Sequence, residues 1–156
     1  QVQDKFLKKY LGGLIRWRDQ QQIETETASY VKQLEIRCVS TKQKAKELSG
    51  GNQQKVCLAK AFAVHPKLLF VSEPTRGIDV GAKALVLQAL RRYNEESGTT
   101  IVMISSELEE LRSICDRIAI ISDGKVFGIL PASARSAEFG LLMVGQTSDH
   151  VQGGAV

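Results

Sequence analysis

Apolar positions Ile23, Thr27, Tyr30 and Leu34 recur at intervals of four, three and four residues, the spacing of one helix face. The N-terminal third therefore reads as largely helical. Gln53 to Val64, dense in Ala and Leu, predicts a second helix that stops at His65-Pro66, because the residue before a proline is pushed out of the helical region. Leu68 to Val71 is short, continuously apolar and bounded by Pro66 and Pro74, which predicts a strand buried on both faces. Gly81 to Glu96 carries Ala82, Leu85, Val86, Ala89, Leu90 and Tyr93 at helical spacing, and Ser97-Gly98 closes it. Thr99 to Ile104 then reads as a β-branched strand, Glu107 to Ile114 as a helix and Arg117 to Ile121 as a strand. Asp123-Gly124 turns that strand into a hairpin partner, Lys125 to Leu130. A short apolar patch, Phe139 to Val144, precedes "QTSDHVQGGAV", whose composition predicts disorder.

Strands and helices alternating at these lengths predict an α/β fold, with a mostly parallel sheet covered by helices and closed by an antiparallel pair. In such sheets ligands sit at the carboxyl ends of strands, where this chain places Ser72-Glu73 and Ser105-Ser106. The 156 residues are 43% hydrophobic and 24% charged, the composition of about one soluble domain. No apolar run approaches the ~18 residues of a membrane span, and no signal-peptide pattern is visible near Gln1. The net charge of +4 is scattered, and Lys42, Lys44 and Lys46 read as a solvated face, so no nucleic-acid partner is expected. Cys38, Cys57 and Cys115 lack metal-ligand spacing and read as reduced cysteines of a cytosolic protein. His65 and His150 are isolated, and Trp17, between Arg16 and Arg18, is expected to pack partly buried.

Two stretches carry chemistry. In "LSGGNQQK", Leu48 to Lys55, two glycines let backbone amides face outward where a helix opens, with Ser49 as a hydroxyl donor; this is a phosphate cradle in physical terms. A glycine turn with Ser49 as helix N-cap fits the same residues. In Val71-Ser72-Glu73-Pro74 a carboxylate stands at a strand end, where such groups are commonly just solvated.

"LSGGNQQK", "LLFVSEPTRGIDVGAK" and "VMISSELEEL", in that order and spacing, resemble the signature motif, the Walker B segment with D-loop, and the switch region of ABC-type ATPases. The resemblance runs from about Phe6 to Gly145. The Asn-Gln-Gln after the signature glycines, "PTRGIDVGAK" and "ISSEL" look like the second nucleotide-binding domain of the fused ATPases that drive simple-sugar importers. "FGLLMVG" is similar to the nucleoside-importing branch. The resemblance implies that Ser49, Gly50, Gly51 and Gln53 clamp the γ-phosphate of a nucleotide held by an opposing domain. It also implies that Glu73 orients or deprotonates the attacking water, that Asp79 reaches across the dimer, and that Ser106 is the switch residue. Gly77 is expected to serve the backbone turn.

Three departures qualify this. Ser72 stands where the family has a magnesium-holding aspartate, so no metal ligand is assigned to this chain. Ser106 replaces a common histidine and, with Glu109, also spells a capping box. No G-x-x-x-x-G-K-[ST] occurs, which marks the chain as the C-terminal portion of a P-loop (RecA-like) ATPase domain without its Walker A half. The resulting division is a helical signature subdomain over 1–65, the C-terminal part of the ATPase core over 66–131, and a tail over 132–156 whose end is expected to be disordered.

The resemblance implies ATP and Mg2+ bound mainly by segments other than these. It further implies an opposing nucleotide-binding domain, permease subunits, an indirectly engaged solute-binding protein, and a cytoplasmic location on the inner face of the membrane. An enzymatic role in trans and a degenerate, non-catalytic docking module both fit the residues. Strands lacking half their sheet would expose apolar surface, so the isolated chain is expected to be inactive and to self-associate or rearrange an edge.

Overall fold

A computed structural model describes residues 6–10 and 15–145. The predicted disorder after Gly145 lies outside the described residues. The chain forms two compact units that divide between Val102 and Met103.

The first unit opens on two short antiparallel strands, β1 (Leu7–Tyr10) and β2 (Ile15–Arg18), with Leu7 opposite Arg18 and Lys8 opposite Trp17. The expected helical character of the N-terminal third therefore begins only at Gln20. "LKKY" and "IRWR" are too short to show a helical period, and cross-strand pairing decides their conformation instead. Trp17, expected to be partly buried, is 69% exposed on β2. Asp19 caps α1 (Gln20–Gln33) by accepting from the Gln22 N–H at 3.2 Å, and Lys8 pairs with its carboxylate at 3.2 Å. Beyond α1 the backbone turns through Glu35 at φ 50°, and a 3-10 turn (Ala45–Glu47) leads into α2 (Gly50–Phe62).

The helix stops before Pro66 as the sequence requires, followed by β3 (Leu68–Ser72), α3 (Val80–Ser97) and β4 (Thr100–Ile104). Gly98 terminates α3 in the left-handed region at φ 66°, as Ser97-Gly98 predicted. Val86 and Leu90 of α3 are buried, and Tyr93 stacks on Phe62 of α2 with ring centroids 3.9 Å apart. The Tyr93 hydroxyl also donates to the Phe62 carbonyl at 3.0 Å, tying the end of α2 to α3. β3 and β4 are hydrogen-bonded neighbours across the α3 crossover. The expectation that β3 is buried on both faces is not met: Leu68 and Phe70 are 49% and 65% exposed, while Leu69 and Val71 are half-buried. The pattern follows from a two-stranded sheet covered on one side, since a strand's alternate residues point to opposite faces.

The second unit comprises α4 (Leu108–Ile114), β5 (Arg117–Ser122), β6 (Lys125–Pro131) and α5 (Ser136–Met143). β5 and β6 form the predicted hairpin, with Asp123 and Gly124 both at positive φ, as a tight right-twisting turn requires. Its core is Ile118 and Ile120 of β5 against Phe139 and Leu142 of α5. The apolar patch at Phe139 to Val144, read only as part of a tail, is thus largely a helix that completes this core. Arg112 fastens α4 to the segment before α5: it donates to the carbonyls of Ala132 and Ala134, both at 3.1 Å, and to the Ser136 hydroxyl at 2.8 Å. Its guanidinium lies 5.7 Å from the Phe139 ring centroid. Among the described residues no helix is long and apolar enough to cross a membrane.

Candidate functional site

The N-terminus of α2 is where the glycine-rich stretch falls. Ser49 is the N-cap residue, in extended conformation, and its carbonyl accepts the first intrahelical bond from the Gln53 N–H at 2.9 Å. Its hydroxyl makes no capping bond, so the N-cap alternative raised by the sequence holds for the backbone and not for the side chain. The leading amides of the helix therefore lack a hydroxyl cap and carry the positive end of the helix dipole. A Cβ on Gly50 would meet nothing within 4 Å, so neither packing nor backbone angle demands glycine there, and the surface beside it is open. A Cβ on Gly51 would sit 3.5 Å from Ala82 Cβ and 3.6 Å from Ile78 Cγ2, which places the start of α2 against the start of α3.

Asp79 caps α3, its carboxylate accepting from the Ala82 N–H at 2.9 Å, so the residue expected to reach outward also has a structural task. The abutting helix starts bring Ser49, Gly50, Gly51 and Asp79 into one region of the first unit. Gln53 is exposed and turns its side-chain amide back onto the Leu48 carbonyl at 2.7 Å. Its neighbour Asn52, given no role from sequence, makes two bonds that bear on Ser49: its Nδ2 donates to Ser49 Oγ at 2.9 Å, and its Oδ1 accepts from the Arg37 N–H at 2.9 Å. Sequence marked it only as part of the glycine-rich stretch and of the Asn-Gln-Gln that follows the glycines, with nothing to link it to Arg37.

Glu73 follows β3 directly and occupies the left-handed region at φ 46°. For a residue with a Cβ this conformation costs roughly 1–2 kcal/mol. The turn is anchored behind it by buried Pro74 and Thr75, by an Arg76 N–H to Glu73 carbonyl bond at 3.2 Å, and by Gly77 at φ 74°, the backbone role expected of that glycine.

Deeper in α2, Lys55 is 6% exposed and donates to the Glu35 carbonyl at 3.1 Å. Burial holds its pKa below the ordinary lysine range, with nearby Glu35 opposing that shift and Arg37 adding to it.

Ser106 lies in the second unit, on the turn before α4. The capping box spelled by Ser106 and Glu109 does not form. The helix begins at Leu108 with Glu107 as its cap, so Glu109 comes one position too early to reach back. Instead Ser105 Oγ accepts from the Glu107 N–H and donates to Glu110, each at 3.0 Å, and Glu109 lies 3.8 Å from Arg112. Among the described residues no three His, Cys, Asp or Glu side chains come together as a metal site, and Ser72 ends β3 exposed. The residues around Ser72 therefore do not fit Mg2+.

The family described as ABC transporter matches residues 2–76. A ribose import ATP-binding protein RbsA of Bacillus cereus is 46% identical over 112 residues, 72% of this chain. The chain belongs to the ABC transporter family. The D-allose import ATP-binding protein AlsA of Escherichia coli is 46% identical over 97 residues, 62% of this chain. The matched region spans only 22% of that RbsA and 19% of AlsA, so this ABC chain corresponds to about a fifth of their length. Among solved structures, the dimeric post-hydrolysis ATP-binding cassette MJ0796 bound to ADP and Pi is similar with a TM-score of 0.66 and 26% identity. That likeness covers 81% of this chain and 52% of the cassette. It assigns the α/β elements to a partial P-loop ATPase fold.

Proposed function

We propose that this chain is the signature-bearing portion of an ATP-binding subunit in an ABC importer for simple sugars, completing a composite ATP site whose Walker A loop belongs to an opposing nucleotide-binding domain. The observation that carries the reading is the open start of α2, where the Ser49 side chain caps nothing and Gly50 leaves the surface bare. An anionic phosphate approaching that end gains the helix dipole, the leading amides and a hydroxyl donor together. Ser49, Gly50 and Gly51 bind the γ-phosphate in trans, with Gln53 behind them steadying the turn. Glu73 orients the attacking water, Asp79 contacts the opposing domain, and Ser106 serves the switch. Mg2+ and the β-phosphate belong to segments other than these. Hydrolysis would drive a permease at the inner face of the membrane, fed by a solute-binding protein. Ribose and D-allose in the relatives' names favour sugars over nucleosides.

The deciding experiment is calorimetric titration of magnesium ATP into the chain, alone and with a Walker A-bearing partner domain, with Ser49→Arg as control. Tightening that needs both the partner and Ser49 supports the reading. Tight binding by the chain alone overturns it. Loss of one phosphate donor is expected to raise the hydrolysis barrier by about 3 kcal/mol, the scale of oxyanion-type donors.

A further inference from the structure

We propose that Asn52 is a positioning residue that fixes the direction of the Ser49 hydroxyl proton, an inference that rests on the trans reading of Ser49 given above. The argument turns on what each partner is unable to do. The Arg37 backbone N–H, 2.9 Å from Asn52 Oδ1, can only donate, so the Asn52 atom facing it must be the oxygen. That settles the orientation of the amide, and the atom 2.9 Å from Ser49 Oγ must be the NH2 nitrogen. An amide NH2 only donates, so Ser49 Oγ must accept from it. The single hydroxyl proton of Ser49 is thereby turned away from Asn52. Because the hydroxyl caps no amide of α2, it sits at the open helix start as a committed donor, with a lone pair already engaged.

Asn52 is held in this role from two sides. It lies one turn before Lys55, whose ammonium takes the Glu35 carbonyl at 3.1 Å, so the two residues clasp the 35–37 segment to the first turns of α2. A freely rotating serine would spend part of its time with its proton pointing elsewhere. A serine that accepts from Asn52 has that alternative removed, which is preorganisation of a donor before phosphate arrives.

Asn52→Asp tests this with almost no change of shape. One carboxylate oxygen still accepts from Arg37, but the other can only accept from Ser49, which draws the hydroxyl proton inward. The added negative charge is controlled by repeating the substitution in a Ser49→Ala background. With the chain assembled on its Walker A-bearing partner, Asn52→Asp is expected to lower kcat about tenfold or more, the scale of a lost preorganised donor, while KM stays nearly unchanged. In the Ser49→Ala background the same change should alter kcat by less than about twofold, because a residue acting through Ser49 has nothing left to act on. An equal loss in both backgrounds, or no loss in either, overturns the inference while leaving the trans reading intact. A Ser49→Ala variant with wild-type kcat sinks the trans reading itself, and the inference falls with it. Should Asn52→Asp melt early, Asn52→Ala carries the same two-background comparison, with a smaller loss expected where Ser49 is present.

Discussion

Glu73 offers a perturbation whose sign, and not merely its size, follows from the backbone. Its φ of 46° is a conformation that costs a residue with a Cβ roughly 1–2 kcal/mol and costs glycine nothing. Comparing Glu73→Gly with Glu73→Ala removes the carboxylate and its contacts from both variants, so the difference isolates the backbone. At an ordinary position alanine would be the more stable by about 0.4–1 kcal/mol, because glycine leaves the unfolded chain more freedom. Here relief of the left-handed strain outweighs that term, and Glu73→Gly should be the more stable by about 0.5–1 kcal/mol. Urea unfolding reads this as a midpoint higher by about 0.3–0.5 M, at a slope near 2 kcal/mol/M. The role proposed for Glu73 predicts that both variants lose hydrolysis in the partnered ATPase. An alanine variant as stable as the glycine variant, or more so, would refute the argument that strain is stored at this residue.

Arg112→Met should destabilise the second unit by about 3 kcal/mol, judged by urea midpoint, because it leaves two carbonyls and a hydroxyl without the guanidinium that binds all three. Arg112→Lys should recover only part of that, since an ammonium cannot reproduce the planar fork. Cys57, which is exposed, should react with iodoacetamide at pH 8 well before Cys115, whose thiol is pushed up chiefly by burial and further by Asp116; mass spectrometry of timed aliquots distinguishes them. Lys55 predicts a pH slope. Its folded pKa lies below the unfolded value, so folding expels a proton in the window between that lowered value and about 10.5. The cost of burying its charge is present in full below the folded pKa and is relieved as pH rises through it. The stability of the wild type relative to Lys55→Met should therefore rise as pH climbs through that window, and a difference that falls there would contradict the shift.

Much of the fold was legible where the signal is local. Pro66 and Gly98 stop α2 and α3 through backbone angles that neighbouring residues cannot overrule, and Asp123-Gly124 needs only its own two residues to turn the hairpin. The misses share a different physics. β1 and β2 are four residues each and exist because they pair, and pairing energy does not appear in either segment taken alone. α5 is apolar around much of its circumference, so Phe139 and Leu142 show no amphipathic stripe. Its start is marked by a bond from the Arg135 N–H to Glu138 at 2.8 Å, where the capping residue is none of the preferred types. The exposure of Leu68 and Phe70 depends on what covers the sheet, and no feature of "LLFVS" can report that.

The candidate site divides in the same way. "LSGGNQQK" predicts a helix start with outward-facing amides by residue type, and the structure has an open helix start at that place. Direction was the missing quantity. Which way the Ser49 proton points depends on Asn52, and which way Asn52 points depends on Arg37, fifteen residues earlier in the chain. No spacing rule links positions 37, 49 and 52. What links them is that a backbone N–H has one proton to give and nothing with which to accept, and that constraint, passed through a single amide, reaches the hydroxyl at the open end of α2.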